Sequence, residues 1–128
     1  MKNKSKKKLE KREQQFLELI DKKDRKAILL FALLRIHYYI DDLVYNRNHS
    51  KLIDSVYVKR LNLAKWSQAN NCNIGERTSF RYRNEYVDLI NSLYEEKLDY
   101  LIFFIEEILE KNFDIIFTSQ INKNVSQK

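Results

Sequence analysis

Ala27-Ile28-Leu29-Leu30-Phe31-Ala32-Leu33-Leu34-Arg35-Ile36-His37-Tyr38-Tyr39-Ile40-Asp41-Asp42-Leu43-Val44 is the densest apolar stretch of the chain, and its reading decides the fold. Ile28, Leu29, Phe31, Leu33, Leu34, Ile36, Tyr39, Ile40 and Leu43 do not alternate as a strand would. They cover more than one face of a helix, which predicts a central helix packed by others on several sides. The uninterrupted apolar run, Ala27 to Leu34, is far short of the roughly 20 residues a membrane-spanning helix needs.

Working outward, Asp24 is placed to cap this helix, unless the segment before it runs on unbroken. Leu9, Phe16, Leu17 and Ile20 show helical spacing among charges, and residues 1–8 read as a flexible basic arm. Asn46-Arg47-Asn48-His49-Ser50 is the clearest loop, with Ser50 a candidate cap for the next helix. Leu52, Ile53, Val56, Tyr57 and Leu61 are spaced for an amphipathic helix, and Asn62 can cap a short helix over 63–70. After the polar turn Asn70-Asn71-Cys72-Asn73, a helix is expected from Glu76 with Gly75 at its cap, running to Leu93 or beyond. A strong apolar stripe continues through Leu98, Leu101, Ile102, Ile105, Ile108 and Leu109, and residues 119–128 read as a polar tail.

Composition agrees with helices. The 128 residues include one Gly and no Pro, and sandwiches, barrels and hairpins need both at their turns. The expectation is an all-α compact domain of five to six helices over 9–118, containing a helix-turn-helix at about 63–86 and a dimerisation helix at about 95–117. The lone Cys72 excludes a disulfide framework and a cysteine zinc cluster, and in a turn it reads as a small hydrophobe. Scarce glycine excludes a phosphate-cradling loop and a dinucleotide fingerprint. The basic start lacks an apolar run soon enough for a signal peptide, so a cytoplasmic protein without membrane attachment is expected.

Charge is segregated. Residues 1–26 carry eleven basic and five acidic side chains, residues 47–83 eight and two, and residues 84–118 two and nine. A formal net charge of +6 distributed in this way predicts one electropositive side, suited to nucleic acid, an anionic surface or an acidic protein.

The short helices expected at 63–70 and 76–86 form a helix-turn-helix pattern, whose second helix enters the major groove. Arg77 and Arg81 are four residues apart and share a face. Arginine suits guanine edges and phosphates through its bidentate fork, and Thr78 near the helix start suits a phosphate. The candidate DNA contacts on this helix are Glu76, Arg77, Thr78, Phe80, Arg81, Arg83 and Asn84. Lys59, Arg60 and Lys65 before it are candidates for phosphates. Phe80 either meets a thymine methyl or packs, with packing favoured; Tyr82 and Tyr86 read as core. Ala69 is small enough for a close helix crossing, and Ile74 is an apolar plug.

Cys72-Asn73-Ile74-Gly75-Glu76-Arg77-Thr78-Ser79-Phe80-Arg81-Tyr82-Arg83 resembles the LGISERTYYRYKK signature of phage-type transcriptional regulators of the ArpU and RinA kind. Their C-terminal helix-turn-helix is similar to region four of bacterial sigma factors. The resemblance covers some twenty residues and implies DNA binding and control of transcription of phage or mobile-element genes. By position it places Arg77, Thr78, Phe80, Arg81 and Arg83 against DNA, and Ile74 and Ala69 on structural positions. Gly75 stands where the family has a serine cap, and Ser79 replaces a larger residue.

Catalysis is not expected. His37 and His49 lie far apart without ligand spacing, and the neighbouring carboxylates Asp41-Asp42 and Glu106-Glu107 point in different directions. No cofactor or metal is expected. The partners expected are double-stranded DNA and a second copy, with RNA polymerase or another protein as further candidates. The competing reading is a protein-binding inhibitor or adaptor that uses the helix-turn-helix as scaffold.

Overall fold

The computed structural model describes the backbone of residues 2–60 and 74–126, and side chains from 6 to 60 and from 74 to 120. The described chain is all-helical: α1 (Lys2–Asp21), α2 (Arg25–Tyr45), α3 (His49–Ile53), α4 (Glu76–Tyr94), α5 (Leu98–Lys111) and α6 (Phe113–Ser126). No described helix is long and apolar enough to cross a membrane. The expected helix at 63–70, its Asn62 cap and the turn at 70–73, with Lys65, Trp66, Ala69 and Cys72, lie outside the described residues.

The ends of α1 and α2 follow from local chemistry. Lys23 takes a left-handed φ of 64°. That lets the Lys23 and Asp24 amides return to the Ile20 and Leu19 carbonyls, both at 3.0 Å, which closes α1 with a Schellman motif. Asp24 then caps α2, its Oδ1 accepting from the Ala27 amide at 2.9 Å. At the far end Asn46, φ 54°, ends α2 and returns its amide to the Asp42 carbonyl. Asparagine tolerates that conformation better than most residues do.

The start of α3 is capped from a distance. It begins at His49 rather than after Ser50, and Asn48 in the cap position makes no side-chain bond. Instead the Asp42 carboxylate of α2 accepts the His49 and Ser50 amides, each at 2.8 Å. A carboxylate there satisfies two orphan donors and suits the positive end of the helix dipole. α3 then widens into a π-helical turn over Asp54–Val58, closed by Lys59 N to Asp54 O at 2.8 Å. The wider turn directs three consecutive residues, Ser55, Val56 and Tyr57, inward.

Helix α2 is central, as its all-round apolar character predicts: it touches α1, α3, α4, α5 and α6. Its Ala27, Leu30, Leu33, Leu34 and Tyr38 are buried. Helices α1 and α4 lie side by side and run parallel. Lys6 meets Glu76, Glu13 meets Arg83 and Asp24 meets Tyr94, each pair separated by 70 residues. The inward positions follow the same three-and-four spacing in both: Leu9, Glu13, Phe16 and Ile20 against Ser79, Arg83, Tyr86 and Ile90. The α1–α2 turn and the α4–α5 turn therefore lie at the same end. The Lys26 ammonium donates to the Tyr94 carbonyl at 2.8 Å, which ties the two turns together.

Two expectations change. Residues 2–8 are the opening turns of α1 rather than an arm; lysine is a good helix former, and Leu9 anchors the segment at 1% exposure. The segment at 95–117 is not one helix: it divides at Asn112, and α6 extends into the stretch expected as a tail.

Candidate nucleic-acid interface

Gly75 caps α4 in an extended conformation, as expected, and without a side-chain bond. The helix beyond it is amphipathic, with Ser79, Arg83, Tyr86, Val87 and Ile90 inward. Arg77 and Arg81 lie on the outward side, exposed, and neither makes an ion pair with a described residue. Arg81 lies over the Tyr82 ring, 5.4 Å from its centroid. Thr78, Phe80 and Asn84 are half-buried, and Asn84 Nδ2 donates to its own helix at Phe80 O, 2.9 Å away. Exposed Glu76 pairs with Lys6 at 3.2 Å.

Arg83 is not available to a groove. Both Arg83 and Glu13 are fully buried and form a two-pronged ion pair, Nη2 to Oε1 and Nε to Oε2, the latter at 2.8 Å. The buried Tyr57 hydroxyl donates to Glu13 Oε2 at 2.5 Å. Burial and the adjacent Glu13 carboxylate raise the Tyr57 hydroxyl well above its ordinary range, so it keeps its proton and acts as donor. The physical reason is register: Arg83 falls on the inward heptad line of α4, opposite Glu13, the buried charged residue on the matching line of α1.

Lys59 and Arg60 are at the wrong place to join Arg77. Arg60 holds Asp21 with two bonds of 2.7 and 2.8 Å at the C-terminal end of α1. Its guanidinium holds the Asp21 carboxyl below the usual carboxylate range. Glu76 pairs with Lys6 near the opposite end, fifteen residues away, or about 22 Å of helix. Lys59 is exposed, 3.6 Å from Asp54. Among the described residues the expected basic face is thus two separate groups.

The group at the N-terminal end is larger than the helix-turn-helix pattern implies. The Lys6–Glu76 pair sets the first turns of α1 and α4 at one level. Exposed Lys7, Lys8 and Lys11 therefore share the end of the bundle with Arg77 and Arg81. Two parallel helices also present their positive dipole ends there. This end can attract polyanions and offers guanidinium forks, with no nucleophile–base arrangement beside it among the described residues.

Sequence reasoning missed a buried aromatic-polar cluster behind this end. His49 is 1% exposed, its Nδ1 2.5 Å from the Tyr86 hydroxyl and its Nε2 3.4 Å from Asp41 Oδ2. Its ring packs on Tyr82 and Tyr38, with centroids 4.1 and 4.5 Å away. Tyr82 and Tyr86 are core residues, as expected. Burial lowers the His49 pKa against the opposing pull of Asp42 and Asp41. Burial likewise pushes the Tyr38 hydroxyl up to about 12. Comparison with known proteins finds no matching family model and no curated protein or solved structure with significant similarity.

Proposed function

We propose that this chain is a cytoplasmic, sequence-specific DNA-binding regulator of transcription, of phage or mobile-element type, which acts as a pair of copies. One observation carries the reading. The exposed cations of α1 (Lys7, Lys8, Lys11) and of α4 (Arg77, Arg81) share one end of a parallel helix pair. Arg77 and Arg81 are the base-reading candidates, and the α1 lysines supply phosphate contacts that do not depend on sequence. Thr78 and Asn84, half-buried beside them, support the helix edge that faces DNA. Arg83 has no part in it.

The test is fluorescence anisotropy with duplexes selected from a random pool, read over a range of salt. Affinity should fall steeply as salt rises, by counterion release. Arg77→Ala or Arg81→Ala should cost about 1–3 kcal/mol on the selected duplex and relax sequence preference, while Lys7→Ala weakens all duplexes alike. Equal losses on every duplex for both kinds of variant would overturn base reading, and no binding at low salt would overturn the whole proposal. A second reading, a protein-binding inhibitor or adaptor, is favoured by the exposed aromatic residues Phe103, Phe113 and Phe117 on α5 and α6.

A further inference from the structure

Helices α5 and α6 carry an apolar stripe that nothing in the described chain covers. Ile102, Leu109, Phe113 and Phe117 are seven, four and four residues apart, the spacing of one helix face. The two halves meet at Asn112 without a loop between them: its amide bonds Ile108 O and its carbonyl accepts from Ile116 N, both at 3.1 Å. Ile102 and Leu109 are each 40% exposed, Phe113 is 60% and Phe117 is 53%. The two phenyl rings are stacked, with centroids 5.5 Å apart and an interplanar angle of 12°, and form a single plate.

Beside the stripe lies a cleft of about 300 Å³ between α2–α3 and α5–α6. Ile36, Tyr39, Ile53, Leu109 and Ile116 make it apolar, and Arg35 stands at its wall. Leu109 belongs to both the stripe and the cleft. A projecting plate next to a matching recess is what a two-fold contact requires, since each copy must offer both halves.

We propose that this face is a homotypic seam, in which the Phe113–Phe117 plate of each copy enters the cleft of a second copy. Charge does not oppose a second copy at the α6 half, while the α5 half, with Asp99, Glu106, Glu107 and Glu110 against Lys111, needs a cation from the partner. Among its described side chains α6 carries one charge, Asp114, so two such helices meet without strong repulsion. Glu106, on the stripe between Ile102 and Leu109, faces the exposed Arg35 of the opposing cleft. Neither makes an ion pair with a described residue of its own chain. Taking roughly 200 Å² for a whole aromatic side chain, the exposed parts of the stripe come to about 350 Å² per copy. With the cleft walls added, the contact stays below the roughly 800 Å² per partner of a standard interface, in the range of a concentration-dependent pairing. The seam rests on the two-copy part of the proposed function and takes nothing from DNA binding.

The test is sedimentation of the full chain, without DNA, over a wide concentration range, with far-ultraviolet circular dichroism as the control on folding. The wild type should be dimeric. Phe113→Glu/Phe117→Glu and Arg35→Glu should each raise the dimer dissociation constant by roughly thirtyfold or more, with helicity unchanged. Arg35→Glu/Glu106→Arg should restore the dimer. A wild type that stays monomeric overturns both the seam and the two-copy reading. A dimer that survives the double phenylalanine variant overturns the seam alone, and failure of the charge swap overturns the Glu106–Arg35 register.

Discussion

Replacing Arg83 by methionine removes one partner of the buried pair with Glu13 while keeping a side chain of similar length. Both residues are fully buried, so the Glu13 carboxylate loses its counter-charge with no water to replace it. Breaking such a pair costs about 3–5 kcal/mol, out of a total stability of about 5–15 kcal/mol. For a chain of this size 1 kcal/mol moves the thermal midpoint by about 3–5 °C, so Arg83→Met should lower it by about 10–25 °C. The Tyr57 hydroxyl also bonds Glu13, so the apolar counterpart is Glu13→Leu/Tyr57→Phe/Arg83→Met. Removing all three takes the charge pair and its hydroxyl donor out together, and this variant should recover to within about 1 kcal/mol of the parent or exceed it. The assay is urea and thermal unfolding followed by circular dichroism, with the couplings read from a mutant cycle. An Arg83→Met chain within about 1 kcal/mol of the parent, or a triple variant no better than the single, would refute the argument. Arg83→Met that kept its stability but lost DNA affinity would return Arg83 to the groove.

His49 gives stability a pH dependence. Burial lowers its pKa below the ordinary 6.5, so the folded chain resists a proton that the unfolded chain accepts. The neutral ring's contribution is complete above pH 6.5 and shrinks as pH falls from there toward the folded value; urea midpoints should drop across that window, less steeply in His49→Gln. At Asn46, whose φ is 54°, glycine should leave the unfolding midpoint nearly unchanged, whereas valine should cost about 1–2 kcal/mol.

Local patterns in the sequence were legible without the fold. The stretch from Ala27 to Val44 declared a central helix because its apolar residues exceed one face. Asp24 and Gly75 declared the helix starts, because capping chemistry needs no distant partner. Other features depended on a partner far along the chain. Arg83 looked like a DNA contact because three arginines fall within seven residues; its burial follows from Glu13, seventy residues earlier. A signal was present, since Glu13 interrupts the stripe of Leu9, Phe16 and Ile20, and a charge on an apolar line calls for a partner. The cap of α3 by Asp42 was hidden for the same reason. No glycine or proline marks the break at Asn112, so α5 and α6 read as one helix. The basic start resembles an arm because its dense charge masks the helix propensity of lysine.

The parallel pairing of α1 with α4 also has a consequence for synthesis on the ribosome. Glu13 is made 70 residues before Arg83, roughly 4–14 s at ordinary rates of translation. During that interval α1 and α2 can form a hairpin, but α1 cannot settle into its final groove without burying a lone carboxylate. Its docking therefore waits for α4 to emerge. A nascent chain released before residue 83 would lack α4, and α1 would keep only what it makes with α2, such as Phe16 on Phe31. The last step of assembly then checks that most of the chain has been made.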